Sequence, residues 1–310
     1  MRNLFFLLLA GGLLFSCQPN EGGVDAMGYS RTDSGVRYKI ITDGEGPEVN
    51  GMDYVYFQAR LVTEGDSTIF DTREGGADNI PVIQAAPDSI MNLGPVEDAI
   101  RFLGLNDVAL IRVNIENEPP QNKPAGMAND TVIVYEIEVT EVVNEEEFGR
   151  RRAAKEAEAE AARELVRARE PELREFSEKV RKDYARGRLQ DVQETASGLK
   201  YVIHEEGTGE QAQAGRGVMV QYIGRLVENG EVFDQSFERG EGIPFILGTG
   251  RVIPGWDEGI ALLKEGAKAT FFIPAELAYG AQGSRRPGQE EGGVPPNAEL
   301  AFYVELEDVQ

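Results

Sequence analysis

Residues 218–223 read Val-Met-Val-Gln-Tyr-Ile, β-branched and aromatic-rich, and residues 269–273 and 300–306 alternate apolar and polar side chains. This pattern predicts strands. Asn229-Gly230 between Leu226-Val227 and Val232-Phe233 predicts a hairpin turn. Pro254-Gly255-Trp256 opens a short helical pattern that runs to Leu263 and is closed by Gly266. The same order of signals occurs earlier in the chain. Ser34-Gly35-Val36-Arg37-Tyr38-Lys39-Ile40 matches Ser197-Gly198-Leu199-Lys200-Tyr201-Val202-Ile203, and Phe70-Asp71 matches Phe233-Asp234, both at an offset of 163 residues. Val96 to Ile100 resembles Trp256 to Ile260, and residues 131–139 alternate like residues 298–306. The chain therefore contains two copies of one α+β unit, an antiparallel sheet covered by a short helix.

Between the copies the pattern changes. Residues 144–190 are rich in Ala, Glu and Arg. Glu145-Glu146-Glu147 suits a helix N-terminus, with Arg150-Arg151-Arg152 within pairing distance. Pro171 predicts one helix up to about Glu170 and a second with the proline in its first turn. Leu173, Phe176, Val180 and Tyr184 form an apolar stripe on that second helix. Three roles stay open for this segment: a solvated spacer, docking of the stripe on a domain, or pairing with another chain as a homodimer through the helical linker.

At the N-terminus Arg2 precedes an apolar run, residues 4–15, too short to span a bilayer comfortably. A basic start, a short apolar stretch and small residues predict a secretory signal. Ser16-Cys17 at its end resembles the acylation site of bacterial lipoproteins, which makes Cys17 the expected lipid attachment point. Gln18 rather than Asp follows it, which points to an outer-membrane lipoprotein facing the periplasm, with surface display an alternative. The expected organisation is a signal peptide (1–16), a tether (17–27), a first domain (28–143), a helical linker (144–190) and a second domain (191–310).

Composition then narrows the chemistry. Lys+Arg 31 against Asp+Glu 54 gives a net charge of −23, which disfavours binding to phosphate backbones, so no nucleic-acid partner is expected. One His and one Cys cannot build the usual zinc site, and one Cys cannot form an internal disulfide. No metal or cofactor is expected.

The second copy, from about Ser197 to Gln310, resembles the FKBP-type peptidyl-prolyl cis-trans isomerases. The resemblance rests on Val220-Gln221-Tyr222-Ile223-Gly224, Phe233-Asp234-Gln235-Ser236, Phe245-Ile246-Leu247-Gly248, Val252-Ile253-Pro254-Gly255-Trp256, Ala278-Tyr279-Gly280 and Pro295-Pro296-Asn297-Ala298 leading to Phe302, in the family's order. It implies a half-barrel antiparallel sheet wrapped on the short helix. It further implies Trp256 as the floor of a proline pocket, and Tyr222, Phe233, Val252, Ile253 and Phe302 as its walls. Phe245 and Val294 are implied to line it. Tyr279 is implied to place its hydroxyl over the substrate carbonyl, and Asp234 to lie beside the twisting amide with Arg239 as its partner. Ile243 stands where many members carry an aromatic residue, which implies a smaller, aliphatic rim. The loop from Gly283 to Val294 is longer than the compact family pattern.

Rotation about an X–Pro bond needs no nucleophile, metal or cofactor, which suits this composition. Its barrier is about 18–20 kcal/mol because the planar amide is resonance-stabilised. The expected function is isomerisation of proline-containing polypeptides during folding of exported proteins. The alternative is a non-catalytic holdase or scaffold using the same groove. In the first copy Phe57 is expected at the place of Tyr222 and Val96 at that of Trp256, while Phe70 and Asp71 persist and Asn117 to Lys123-Pro124 replaces the Tyr279 loop. That copy is expected to be degenerate, with little activity.

Overall fold

The computed structural model describes residues 24–65, 67–75, 80–87, 90, 93–284 and 293–310. The apolar N-terminal run, Cys17, most of the tether, Arg285-Arg286 and Glu290-Glu291 lie outside the described residues. The chain divides into two compact units, one ending at Ala154 and one running Lys155–Gln310.

In the first unit the strands are β1 (Ser30–Arg31), β2 (Arg37–Thr42), β3 (Tyr54–Thr63), β4 (Thr68–Asp71), β5 (Val82–Gln84), β6 (Val108–Asn114) and β7 (Val132–Val143), with helix α1 (Pro95–Ile100) between β5 and β6. They form an open antiparallel sheet in the order β1-β2-β6-β7-β3-β4, with β5 also paired to β3. Two helices follow, α2 (Glu145–Ala168) and α3 (Glu170–Ala185). The second unit then has β8 (Gln193–Glu194), β9 (Lys200–Glu205), β10 (Gly217–Leu226), β11 (Val232–Gln235), β12 (Ile243–Ile246), helix α4 (Pro254–Ala261), β13 (Lys268–Ile273) and β14 (Leu300–Val309). Its sheet runs β8-β9-β13-β14-β10-β11, with β12 also on β10. The two sheets share one connectivity, and both are α+β.

The internal register repeats as well. A bulge between Met219 and Val220 on β10 has its counterpart between Tyr56 and Phe57 on β3, again 163 residues earlier. This register corrects one expectation. Phe57 pairs with Val139 as Val220 pairs with Leu306, and Ala59 pairs with Ile137 as Tyr222 pairs with Val304. Ala59, not Phe57, therefore holds the place of Tyr222. A shift of two residues keeps a side chain on the same face, so alternation alone could not detect the slip.

Each inner face packs on its short helix. Ala99, Ile100 and Leu103 are fully buried under the first sheet, and Trp256, Ile260 and Leu263 are buried under the second. Val96, a helical turn before Ile100, takes the phase that Trp256 takes before Ile260.

Asn144 Oδ1 accepts the Glu147 N–H at 2.9 Å, capping α2, and Arg150 and Arg151 pair with Glu147. The helical run is interrupted at Arg169, and Pro171 lies in the first turn of α3. The stripe on α3 covers the outer face of the second sheet. Tyr184 stacks on Phe272 with ring centroids 3.6 Å apart, Phe176 meets Tyr303 edge-on at 5.6 Å, and Val180 packs with Val227 and Ala301. Buried Arg225 donates to Ser177 Oγ at 3.0 Å and to the Arg174 carbonyl at 2.6 Å, and Arg181 donates to the Val227 carbonyl at 2.6 Å. The expected linker is thus shared out: the unit boundary falls inside α2, and α3 belongs to the second unit.

His204 is half-buried beside α3, with Phe176 edge-on at 5.0 Å and Nε2 at 2.8 Å from Thr270 Oγ1. Among the described residues, no helix is long and apolar enough to cross a membrane.

Candidate functional site

β10 contributes Tyr222, β11 Phe233 and Asp234, β12 Ile243 and Phe245, and β14 Phe302. Val252 and Ile253 lead into α4, where Ile253 is the N-cap and Trp256 lies in the first turn. All of these apolar and aromatic side chains, with Tyr279 and Val294, belong to one contiguous cluster. Tyr222, Trp256, Val294 and Phe302 are buried in it, and Phe233, Ile243, Phe245, Val252, Ile253 and Tyr279 pack on it half-exposed. A contiguous apolar cluster with partly exposed members at its edge results. Cys17 lies outside the described residues.

The ring geometry is specific. Tyr222 and Phe302 stand perpendicular to the Trp256 indole, with centroids at 5.1 and 5.3 Å, and Phe245 tilts over it at 5.9 Å. Phe233 meets Phe302 edge-on at 5.4 Å. Such edge-to-face contacts contribute about 0.5–1.5 kcal/mol beyond area burial and fix ring orientation. Gly224 makes the wall feasible, because a Cβ there would lie 2.7 Å from Phe302 Cε1 and 2.8 Å from Phe233 Cζ. The buried Trp256 Nε1–H has no hydrogen-bond partner among the described residues, so the floor keeps an unmatched donor.

A polar triad borders this cluster. The Tyr222 hydroxyl donates to Asp234 Oδ2 at 2.6 Å, and Arg239 donates to the Tyr222 hydroxyl at 3.0 Å and to Asp234 Oδ1 at 3.2 Å. Burial, and then the hydrogen bond to Asp234, push the Tyr222 phenol up to about 12, so it stays a donor at neutral pH. Burial and the Asp234 charge also raise the Tyr279 phenol. Among the described residues, no group of His, Cys, Asp and Glu could hold a metal ion.

Two buried residues that lie in the quoted family motifs but were given no role of their own, Gln221 and Ser236, underpin the triad. Ser236 Oγ accepts the Tyr222 N–H at 2.8 Å and donates to Gln221, and the Ser236 N–H donates to the Tyr222 carbonyl at 3.0 Å. Thr72 and Gln58 repeat this knot around Ala59 in the first unit. It is therefore a feature of the fold, which both units share.

In the first unit the corresponding cluster is differently filled. Ala59 and Val96 replace Tyr222 and Trp256, Leu61 pairs with Tyr135 as Gly224 pairs with Phe302, and in an adjoining cluster fully buried Met127 packs with Leu61, Ile115, Phe70 and Tyr135.

An α+β half-barrel with a packed aromatic cluster and a Tyr–Asp–Arg rim defines the class of domain, and comparisons with known proteins supply its relatives. The family model for FKBP-type peptidyl-prolyl cis-trans isomerase matches residues 208–307. The chain is 48% identical over 100 residues to a peptidyl-prolyl cis-trans isomerase of Saccharomyces cerevisiae, covering 32% of this chain and 70% of that one. It is 42% identical over 138 residues to a probable FKBP-type isomerase of Haemophilus influenzae, covering 44% of this chain and 53% of that one. The crystal structure of FkpA from Escherichia coli is 35% identical, with 54% of this chain and 74% of that chain covered at a TM-score of 0.36. The chain belongs to the FKBP-type peptidyl-prolyl cis-trans isomerase family, and it spans about half the length of the Haemophilus relative.

Proposed function

We propose that the second unit is a peptidyl-prolyl cis-trans isomerase acting on proline-containing segments of other polypeptides. The observation that carries this is the apolar basin floored by Trp256, with the Tyr222–Asp234–Arg239 triad at its edge. Twisting an X–Pro amide destroys its resonance and makes it less dipolar. An apolar pocket favours the twisted state over the planar one, which water solvates better, so binding is differential toward the transition state. A rate gain of roughly 10⁴ to 10⁵ requires only about 5.5–7 kcal/mol, a scale that aromatic packing and a few hydrogen bonds can supply. In this reading the proline ring rests on Trp256 between Phe233, Val252, Ile253 and Phe302, with Ile243, Phe245 and Val294 completing the wall. Tyr279 donates to the substrate carbonyl, and Asp234, held by Arg239, stabilises the rotating amide.

A protease-coupled assay on an Ala-Leu-Pro-Phe peptide with the full chain tests it. Acceleration that falls at least tenfold in Trp256→Ala and Asp234→Ala is expected. Binding without acceleration would instead favour the holdase reading. Residual activity in the double variant would have to come from the first unit, which we read as degenerate because Ala59, Val96 and Met127 occupy its basin.

The N-terminal pattern supports a lipid anchor at Cys17 and an outer-membrane position facing the periplasm, where exported chains fold. Cys17→Ser should abolish fatty-acid labelling and release the protein from membranes. A homodimer through the helical linker would use α2, since the α3 stripe covers its own sheet, and sedimentation over a concentration series tests it.

A further inference from the structure

Asp234 and Arg239 lie five residues apart on one turn, and most residues from Gln235 to Glu241 touch the elbow between α2 and α3. Gln235 Nε2 donates to Glu170 Oε1 at 3.2 Å. Phe237 is fully buried between Val166 of α2 and Leu173 and Phe176 of α3, with the Arg169 guanidinium 5.6 Å from its ring centroid. Glu238 pairs with Arg174 at 3.6 Å. The Arg239 carbonyl accepts from Arg167 at 3.4 Å. Gly240, at φ +77°, lies so close to α2 that a Cβ would be 2.7 Å from the Arg163 carbonyl oxygen. Glu241 pairs with Arg163 at 3.6 Å. On the other side, the Arg239 N–H donates to the Ser236 carbonyl at 2.9 Å.

The Arg239 side chain itself is about half exposed, and its hydrogen bonds run to Tyr222 and Asp234. An exposed arginine gains little order from an ion pair alone. Its aim is set by the backbone that carries it, and that backbone is held by the helices. The first unit supplies the contrast. There Thr72, which repeats the Ser236 knot, is followed by exposed Arg73, Glu74 and Gly75, so no buried aromatic stands where Phe237 does. The helical buttress and the complete triad occur together, in the second unit.

We propose that the α2–α3 elbow is a positioning element of the isomerase site, acting through Phe237 and Gly240 on the geometry of Asp234 and Arg239. This rests on the isomerase reading above. Misplacement by about 1 Å of groups that orient a reacting centre can cost up to about a hundredfold in rate, so a loosened turn should lower kcat more than it raises KM.

The test uses the full chain with Val166→Ala/Leu173→Ala, Phe237→Ala and the conservative Phe237→Leu. Because Trp256 is the sole tryptophan and stands against Tyr222, its emission reports the state of the triad. The double helix-side variant should lose about tenfold or more in kcat with KM within about twofold and a shifted Trp256 emission. Phe237→Ala should do the same, with Phe237→Leu restoring much of the loss. Arg163→Ala/Arg167→Ala, at half-exposed positions on α2, should give a smaller fall of the same kind. Folded variants with wild-type kcat and wild-type emission would overturn the proposal, as would a rise in KM alone. If the wild type does not accelerate isomerisation at all, the isomerase reading fails, and unshifted emission in the variants would separately defeat the positioning role.

Discussion

Tyr222 shows how one residue can serve packing and polarity together. Its ring stands against Trp256 while its hydroxyl joins Asp234 and Arg239. Tyr222→Phe keeps the ring and removes the hydroxyl, so stability should fall by only about 1 kcal/mol in urea denaturation, with a clear loss of isomerase rate. Because its phenol is held up at about 12 and that of Tyr279 is also raised, the rate should stay flat from pH 6 to 9 in a buffer series. His204 behaves oppositely. Burial lowers its pKa, so the unfolded state takes up its proton first as pH falls. Its contribution is intact above about pH 6.5 and is lost as pH falls below that value toward its lower folded pKa. Denaturation midpoints should drop over this window in the wild type and drop less in His204→Gln.

At the scale of elements, the two central strands record what covers them. On β3 buried and half-buried residues alternate over most of its length, whereas on β10 nearly every residue after Gly217 is buried. The cause is α3, which lies on the outer face of the second sheet. Its polar anchor is a cluster in which Glu178, held down to about 2 chiefly by the Arg181 guanidinium, faces Arg181 and Arg225. This depressed carboxyl contributes stability above about pH 4.5 that is lost as pH falls toward 2. Removing the half-buried ring of Phe176 should destabilise the second unit by about 3 kcal/mol, the low end for a phenylalanine truncation, and open the 186–192 segment to limited proteolysis.

For the whole molecule, two separate hydrophobic cores predict separate cooperative transitions. Calorimetry of the full chain should show two, and Trp256→Ala should shift only the one that carries the second unit. The single tryptophan assigns it directly, since its emission must follow that transition alone. Acidity belongs to this scale too. The described faces of α2 bury no side chain and carry intrahelical Arg–Glu pairs. Part of the net charge of −23 is therefore a solvated helix surface rather than a ligand site.

The sequence by itself determined the duplication, the α+β class, the break before Pro171 and which aromatic residues of the second unit cluster together. Each follows from local periodicity, turn chemistry or a motif of fixed order. Only the tertiary structure decided that Ala59 answers to Tyr222, that α3 covers the second sheet and that His204 lies beside α3. Strand register is blind to a two-residue slip in an alternating pattern, because both positions face the same way. The destination of an amphipathic stripe depends on which distant surface has a complementary shape. Phe237 shows this most clearly: a lone aromatic in a polar run carries no local signal, and its burial exists only because two helices meet over it.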